Sequence, residues 1–254
     1  MNRFAQGMRV SPHALIHRAR VSGAWCASRT MILRRAAPRP ERDNHQSISA
    51  FHVSPSAGTL HEVITGTNMQ GNFQFRRPSG EDLKRAHGKT VPDLIAPNLK
   101  VLFCGINPGL YSGATGLHFA RPGNRFWPAL YAAGFTARLL HPSEGDELLA
   151  AGYGITAMVR RATATAAELD DDEYRAGKIA LEKKVRKYKP RWVALVGLGA
   201  YRAGFEKPHA KTGRQEERIG SAGLWVLPSS SGLNANHQLP QLIEMFKELR
   251  LASE

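Results

Sequence analysis

The fold is decided by ten consecutive residues, Lys100-Val101-Leu102-Phe103-Cys104-Gly105-Ile106-Asn107-Pro108-Gly109. Four apolar residues follow one another from Val101 to Cys104, which is typical of a strand that is buried on both faces of a sheet. The apolar run gives way at its end to a loop rich in glycine and proline. In doubly wound sheets ligands bind at the carboxyl ends of the strands, so this loop is a candidate site.

This strand is predicted over residues 100–106. One helix is predicted before it, and further strands and helices alternate after it. Strands are predicted at residues 154–159, 191–197 and 223–227, and helices at residues 80–87, 125–134, 172–188, 200–205 and 239–251. Strands that alternate with helices predict an α/β fold with a mainly parallel sheet and helices on both of its faces.

The charge of the chain favours a polyanionic partner. The 254 residues carry 35 Lys and Arg against 21 Asp and Glu, a formal net charge of +14. Nucleic acid is the first interpretation of such an excess, and a solvated basic surface without a partner is the alternative. Only Cys26 and Cys104 are present, which argues against a disulfide framework or a thiolate metal cluster and favours a reducing compartment. Since no run of about 18 apolar residues occurs, we expect no membrane span.

The amino-terminal segment differs in composition from the rest of the chain. Residues 1–40 contain eight Arg, no acidic residue and no sustained apolar period. Such a segment cannot bury enough apolar surface to offset its chain entropy, so we expect disorder. The predicted organisation is a basic extension (1–68), a lead-in segment (69–92) that begins at a candidate alternative start, Met69, and a globular domain (93–254). A transit peptide and translated upstream sequence are alternative interpretations of the extension.

Two loops that follow predicted strands carry unusual residues. In the first, Asn107 places an amide at the strand tip, and Pro108 stiffens the turn. The second is Pro228-Ser229-Ser230-Ser231-Gly232-Leu233-Asn234, in which the apolar Leu233 stands among polar residues. Taken alone, each loop is equally typical of a structural turn or of solvated surface.

Together with the sequence between them, the two loops resemble the mismatch-specific uracil-DNA and thymine-DNA glycosylases of the uracil-DNA glycosylase superfamily. The similar segments follow in unbroken order between about residues 93 and 250: residues 105–109, Thr-Gly-Leu-His-Phe at 115–119, Pro-Gly-Asn-Arg-Phe-Trp at 122–127, and residues 153–156, 197–200 and 229–233. The resemblance implies a three-layer α/β/α sandwich around a short, mainly parallel central sheet. It also implies a monofunctional enzyme that flips uracil from G·U-type mismatches and hydrolyses its N-glycosidic bond, which starts base-excision repair.

The resemblance further implies roles for individual residues. Asn107 matches the family's water-positioning asparagine, Phe119 the aromatic residue that stacks on the flipped base, and Leu233 the wedge that fills the gap in the duplex. Ser112 lies where the family varies with substrate, and a serine there disfavours thymine. The other implied residues are Ile106, Gly109 and His118 in the base pocket, and Ser231 and Gly232 beside the unpaired guanine and the phosphates. Structural alternatives are a loop cap for Asn107, core packing for Phe119 and a surface position for His118.

Several expectations about partners follow from the resemblance. We expect the partner to be double-stranded DNA with a mismatched or damaged pyrimidine. We also expect a monomer that needs no metal or organic cofactor. The expected location is the cytoplasm of a bacterium, at the nucleoid. Two departures from the family pattern, Ala157 and Ala235, replace polar residues of relatives. They favour the alternative of a catalytically weak mismatch-binding protein of the same fold. A nucleotide-binding α/β protein is a further alternative, but the sequence has no Gly-x-Gly-x-x-Gly or Gly-Lys-Ser signature.

Overall fold

A five-stranded sheet in the order β2-β1-β3-β5-β4 forms the centre of the computed structural model, which describes residues 76–254. The strands are β1 (Val101–Gly105), β2 (Tyr153–Ala157), β3 (Trp192–Val196), β4 (Gly213–Ile219) and β5 (Ala222–Leu227). The helices are α1 (Gly80–Arg85), α2 (Leu110–Thr115), α3 (Phe126–Ala132), α4 (Gly145–Ala150), α5 (Asp171–Tyr188), α6 (Leu198–Gly204) and α7 (Leu239–Ser253). The predicted extension, residues 1–68, and the first part of the predicted lead-in segment, residues 69–75, lie outside the described residues.

The four parallel strands, β2, β1, β3 and β5, end in one row. Gly105 at the end of β1 pairs with Ala157 of β2 and with Val196 of β3, and Val196 pairs in turn with Leu227 of β5. The loops after these strands therefore leave the sheet side by side, at its carboxyl edge. This register places the two unusual loops of the sequence on the same edge of the domain.

Each face of the sheet is covered by helices, as the alternating side chains of β1 show. Val101 and Phe103 pack in one buried cluster with side chains from α3 and α7. Leu102 and Cys104 pack in a second cluster with side chains from α5 and α6. Burial on both faces explains the continuous apolar run of this strand. The predicted three-layer α/β/α fold is confirmed.

Three elements have no counterpart in the prediction. Strand β4 pairs antiparallel with β5 at the edge of the sheet, and its residues are mostly exposed or half-buried. An edge strand of this kind has the polar sequence Gly-Arg-Gln-Glu-Glu-Arg-Ile, so it lacks the apolar signal of the inner strands. Helices α2 and α4 have six residues each, which is too short for a helical period to be evident.

Candidate active site

Asn107 is held by its amide nitrogen at the carboxyl edge of the sheet. Nδ2 donates to the Thr163 hydroxyl at 2.7 Å, to the Arg161 carbonyl at 3.0 Å and to the Pro108 carbonyl at 3.2 Å. The backbone N–H of Thr163 donates to the Pro108 carbonyl at 3.1 Å, so three of these hydrogen bonds join the loop after β1 to the segment after β2.

These partners determine which way the Asn107 amide faces. Carbonyl oxygens only accept hydrogen bonds, and the Thr163 hydroxyl donates its own proton to the Thr165 carbonyl at 2.8 Å. The group of Asn107 that faces them must therefore be the NH₂. Among residues 76–254, no donor reaches Oδ1 of Asn107. The amide thus presents a fixed acceptor that is free for a water molecule.

Phe119 is positioned as a stacking surface. Its ring stacks on that of Phe126 with a centroid separation of 4.0 Å and an interplanar angle of 16°. Its backbone has a φ of +53°, and a Cβ on Gly105 would lie only 3.1 Å from the ring. Glycine at position 105 therefore leaves the space that the ring occupies. Because Phe126 covers one face of the half-buried ring, a flipped base would have to stack on the other.

Ser112 and Gly109 line the beginning of α2 in different ways. Gly109 is exposed, and a Cβ there would meet no atom within 4 Å. Ser112 is buried, and its hydroxyl accepts a hydrogen bond at 3.3 Å from the backbone N–H of Ala120, next to Phe119. The serine therefore connects α2 to the segment that carries the stacking ring.

The Ile106 side chain lies apart from this ring. It packs with the helices on the other face of the sheet, where it crosses Gly197, and a Cβ on Gly197 would lie 2.6 Å from it. Only the backbone of Ile106 remains on the path from Gly105 to Asn107. The structure therefore brings Asn107, Gly109, Ser112 and Phe119 to one region and turns the Ile106 side chain away.

His118 is held as a neutral ring with a defined tautomer. Nε2 lies 2.8 Å from the Pro92 carbonyl, so this nitrogen carries the proton. Burial lowers the pKa of the imidazole, although the Pro92 hydrogen bond and the charge of Asp93 act in the opposite direction. In this state Nδ1 is an acceptor. Donation from His118 to a base through Nδ1 would require the imidazolium that burial disfavours.

The loop after β5 exposes its one large apolar side chain. Leu233 is 68% exposed, whereas Ser231 before it and Asn234 after it are half-buried. The Ser231 hydroxyl accepts from the Leu233 backbone N–H at 3.3 Å, and the Asn234 amide donates to the Ser229 carbonyl at 2.9 Å. The tip is therefore a short, internally bonded turn with a protruding leucine. We call residues 229–238 the wedge loop.

The wedge loop lies against the residues that begin α3. A Cβ on Gly232 would lie 2.8 Å from the Gly123 carbonyl, so only glycine allows this approach. The side-chain oxygen Oδ1 of Asn124 accepts from the Phe126 backbone N–H at 2.9 Å and from the Ser230 hydroxyl at 3.1 Å. The residues at the start of α3 thus contact the wedge loop through Asn124 and the Phe119 ring through Phe126.

Thr163 and Arg125 are site residues that the sequence pattern did not indicate. Thr163 is 56 residues from Asn107, and no local pattern marks it. Arg125 lies in the Pro-Gly-Asn-Arg-Phe-Trp segment, which marks the region but does not show that its guanidinium binds the wedge loop. The two departures from the family pattern lie in different parts of the site. Ala157 ends β2 and pairs with Gly105, and Ala235 is an exposed residue of the wedge loop.

Residues 76–254 hold no group of three or more His, Cys, Asp or Glu side chains placed to bind a metal ion. In the same range, no helix is both long enough and apolar enough to cross a lipid bilayer.

A family model of the uracil DNA glycosylase superfamily matches residues 92–250, more than half of the chain. The chain belongs to this superfamily. Superfamily members are DNA glycosylases, which hydrolyse N-glycosyl bonds. Among solved structures, the solution NMR structure of a candidate uracil DNA glycosylase from Methanosarcina acetivorans is 21% identical, covers 64% of this chain and 98% of that chain, and gives a TM-score of 0.45.

Membership in the uracil DNA glycosylase superfamily confirms the resemblance at that level and over the same region. The matched range begins one residue before Asp93, where the sequence resemblance begins, and ends at Arg250. It includes every residue of the two loops. A glycosylase acts on DNA, which agrees with the excess of basic residues in the chain.

Proposed function

We propose that the protein is a monofunctional DNA glycosylase that flips uracil from G·U-type mismatches and hydrolyses its bond to deoxyribose, which starts base-excision repair. The observation that carries the proposal is the Asn107 amide, whose Nδ2 is fixed by three acceptors while Oδ1 receives no donor from the described residues, 76–254. An acceptor of fixed direction at the carboxyl edge of a parallel sheet is suited to orienting a water molecule.

The chemistry requires orientation more than basicity. The C1′–N1 bond breaks with its electron pair going to uracil, so the sugar gains oxocarbenium character and the leaving base becomes an anion. Oδ1 of Asn107 would accept one hydrogen of a water whose oxygen then bonds to C1′. The water's proton is lost to solvent or to the departing base, and the products are free uracil and an abasic sugar. A neutral amide serves this step because a carboxylate would repel the developing anion.

The extruded base requires a surface inside the protein and a replacement inside the duplex. Phe119 would supply the first, since one face of its ring is already supported by Phe126. Leu233 would supply the second, because it is the exposed apolar residue of the wedge loop. Ser231 and Gly232, on its amino-terminal side, would contact the unpaired guanine and the DNA backbone.

The proposed reaction is hydrolysis without a subsequent lyase step. A lyase needs a lysine amine that attacks C1′ to form a Schiff base. Lys184, whose charge acts on His118, lies 2.6 Å from the Asp93 carboxylate and donates to the Thr156 hydroxyl at 2.7 Å. Its amine is occupied by these partners, which supports the monofunctional assignment.

The proposal is tested with labelled duplexes that contain G·U, G·T or A·U and with single-stranded uracil DNA. Each is incubated with the protein, and heated alkali then cleaves the strand at any abasic site. We expect product from G·U in excess of A·U, because mispaired uracil is less costly to extrude. We also expect product from G·U in excess of G·T, because Ser112 disfavours thymine. Samples without alkali and trapping with borohydride should show no strand cleavage and no covalent adduct. Binding to the mismatch without base release would instead indicate the catalytically weak binding protein.

A further inference from the structure

The Arg125 guanidinium is directed entirely at the wedge loop. Nη2 donates to the Ser231 carbonyl and, at 2.9 Å, to the Asn234 carbonyl. Nη1 donates to the His237 carbonyl at 2.6 Å and reaches the Gln238 side-chain oxygen at 3.4 Å. The backbone N–H of the same arginine donates to the Ser230 carbonyl at 2.9 Å. One residue therefore binds the wedge loop at five points along its length.

Two of these hydrogen bonds lie on either side of Leu233. Ser231 and Asn234 stand on either side of the Gly232-Leu233 tip, and Nη2 binds the carbonyls of both. The two ends of the tip are thereby held together by a single nitrogen. The anchor itself is firm, because Arg125 is the N-cap residue of α3 and the next residue, Phe126, is fully buried.

The guanidinium has no competing partner in the described part of the chain. Across residues 76–254, no carboxylate lies within ion-pair distance of Arg125, and its buried Nε has no hydrogen-bond partner. A half-buried guanidinium that binds only uncharged oxygens of one loop does not serve an ion pair. The planar, forked arrangement of its donors is what allows one side chain to reach carbonyls at both ends of the loop, and a lysine ammonium lacks that geometry.

We infer that Arg125 is a positioning residue for the wedge: it preorganises residues 231–238 so that Leu233 is presented to the duplex in its inserting geometry. The inference rests on the proposed wedge function of Leu233. A loop that is ordered before binding loses less conformational freedom when DNA binds, so more of the contact energy is left for extruding the base. The coupling reaches the base pocket as well, since Phe126 supports the Phe119 ring.

The test uses Arg125→Met, which keeps the apolar stem and removes the donors, and Arg202→Met as the matched control. Arg202 is exposed on α6 and donates Nε and Nη2 to the Ala210 carbonyl of another loop, so its replacement makes the same change of charge and also frees a carbonyl. Hydrogen–deuterium exchange of the full-length proteins reports on the loop without relying on activity. In Arg125→Met we expect faster exchange over residues 231–238 and unchanged exchange over α3. In Arg202→Met we expect unchanged exchange over both segments.

Single-turnover base release then links the loop to the wedge. Arg125→Met should slow release from a G·U duplex by about tenfold or more and release from single-stranded uracil DNA much less, because only the duplex requires a wedge. In a Leu233→Ala background the same substitution should slow base release from the G·U duplex by a further factor of less than about two, since the effects of coupled residues are not additive. Unchanged exchange, equal slowing on both substrates, or full additivity with Leu233→Ala would each overturn the inference. Faster loop exchange in a protein whose parent form releases no uracil would refute the proposed function and leave the positioning role standing.

Discussion

Asn107 and Thr163 are joined by a hydrogen bond of 2.7 Å from Nδ2 to the threonine hydroxyl, across two loops that follow neighbouring parallel strands. The bond is directional because the hydroxyl proton is committed to the Thr165 carbonyl. Thr163 thus determines the side of Asn107 on which the free carbonyl oxygen lies. A side chain that need never touch DNA therefore helps to orient the proposed catalytic amide.

Replacement of Thr163 should reduce the rate through Asn107. Thr163→Val removes the acceptor at nearly constant volume, so the amide should sample other orientations and base release from G·U should fall by about tenfold, equivalent to about 1.4 kcal/mol of transition-state stabilisation. Thr163→Ser restores a hydroxyl and should recover most of the rate. Single-turnover kinetics of the three proteins measure the effect, and thermal unfolding checks the fold. A parental rate in Thr163→Val would show that Asn107 needs no such anchor.

The inner strands were predictable because each is a run of consecutive apolar residues, which is typical of a strand buried on both faces. Strands β1, β3 and β5 lie within one residue of their predicted bounds. Strand β4 was not predictable in this way, since an exposed edge leaves it free to be polar. The contact between Asn107 and Thr163 depends on the register of β1 and β2, and the contacts of the Arg125 guanidinium with the wedge loop span 106 to 113 residues. Such contacts follow from tertiary structure, and the sequence alone marks only the segments in which they occur.

Ser112 offers a test of substrate range. Its hydroxyl holds the backbone N–H of Ala120, one residue beyond the stacking ring, so loss of the hydroxyl should loosen the ring and enlarge the pocket. We expect Ser112→Ala to lower the ratio of G·U to G·T release rates by several-fold, mainly through a gain on G·T. Ser112→Thr, which keeps the hydroxyl and adds a methyl group, should not raise the rate on G·T. An unchanged ratio in Ser112→Ala would remove Ser112 from the determinants of specificity.

His118 should make stability fall on the acidic side of neutrality. Burial holds its pKa below the ordinary histidine value, so the unfolded chain takes up a proton at a higher pH than the folded domain does. The free energy of unfolding should therefore decrease as the pH falls from about 7 through about 6.5, the unperturbed histidine pKa. His118→Gln, which can donate to the Pro92 carbonyl but does not titrate, should show a shallower decrease. Urea unfolding of both proteins at pH 7.5 and at pH 5.5 (on the order of one unit either side of that pKa) measures the difference, and equal slopes would contradict it.

The amino-terminal extension should contribute to affinity without contributing to catalysis. Residues 1–68 hold nine Arg against three acidic residues, and the superfamily match begins at residue 92. A chain that begins at Met69 should keep its unfolding temperature and its single-turnover rate at saturating protein. Its affinity for DNA of any sequence should be lower and less steeply dependent on salt, because fewer counterions are released. Loss of the unfolding transition in the shortened chain would show that the extension belongs to the folded domain.

The single-turnover rate of Asn107→Ala on a G·U duplex, measured beside its affinity for the same duplex, tests the central claim most directly. Asn107 is half-buried at the end of β1, and alanine removes the fixed acceptor while leaving the strand and the wedge loop in place. We expect affinity close to that of the parent and base release slowed on the order of a hundredfold or more, as when a reactant loses its orienting group. A near-parental rate would contradict the proposed mechanism, and a loss of affinity equal to the loss of rate would assign Asn107 a structural role instead.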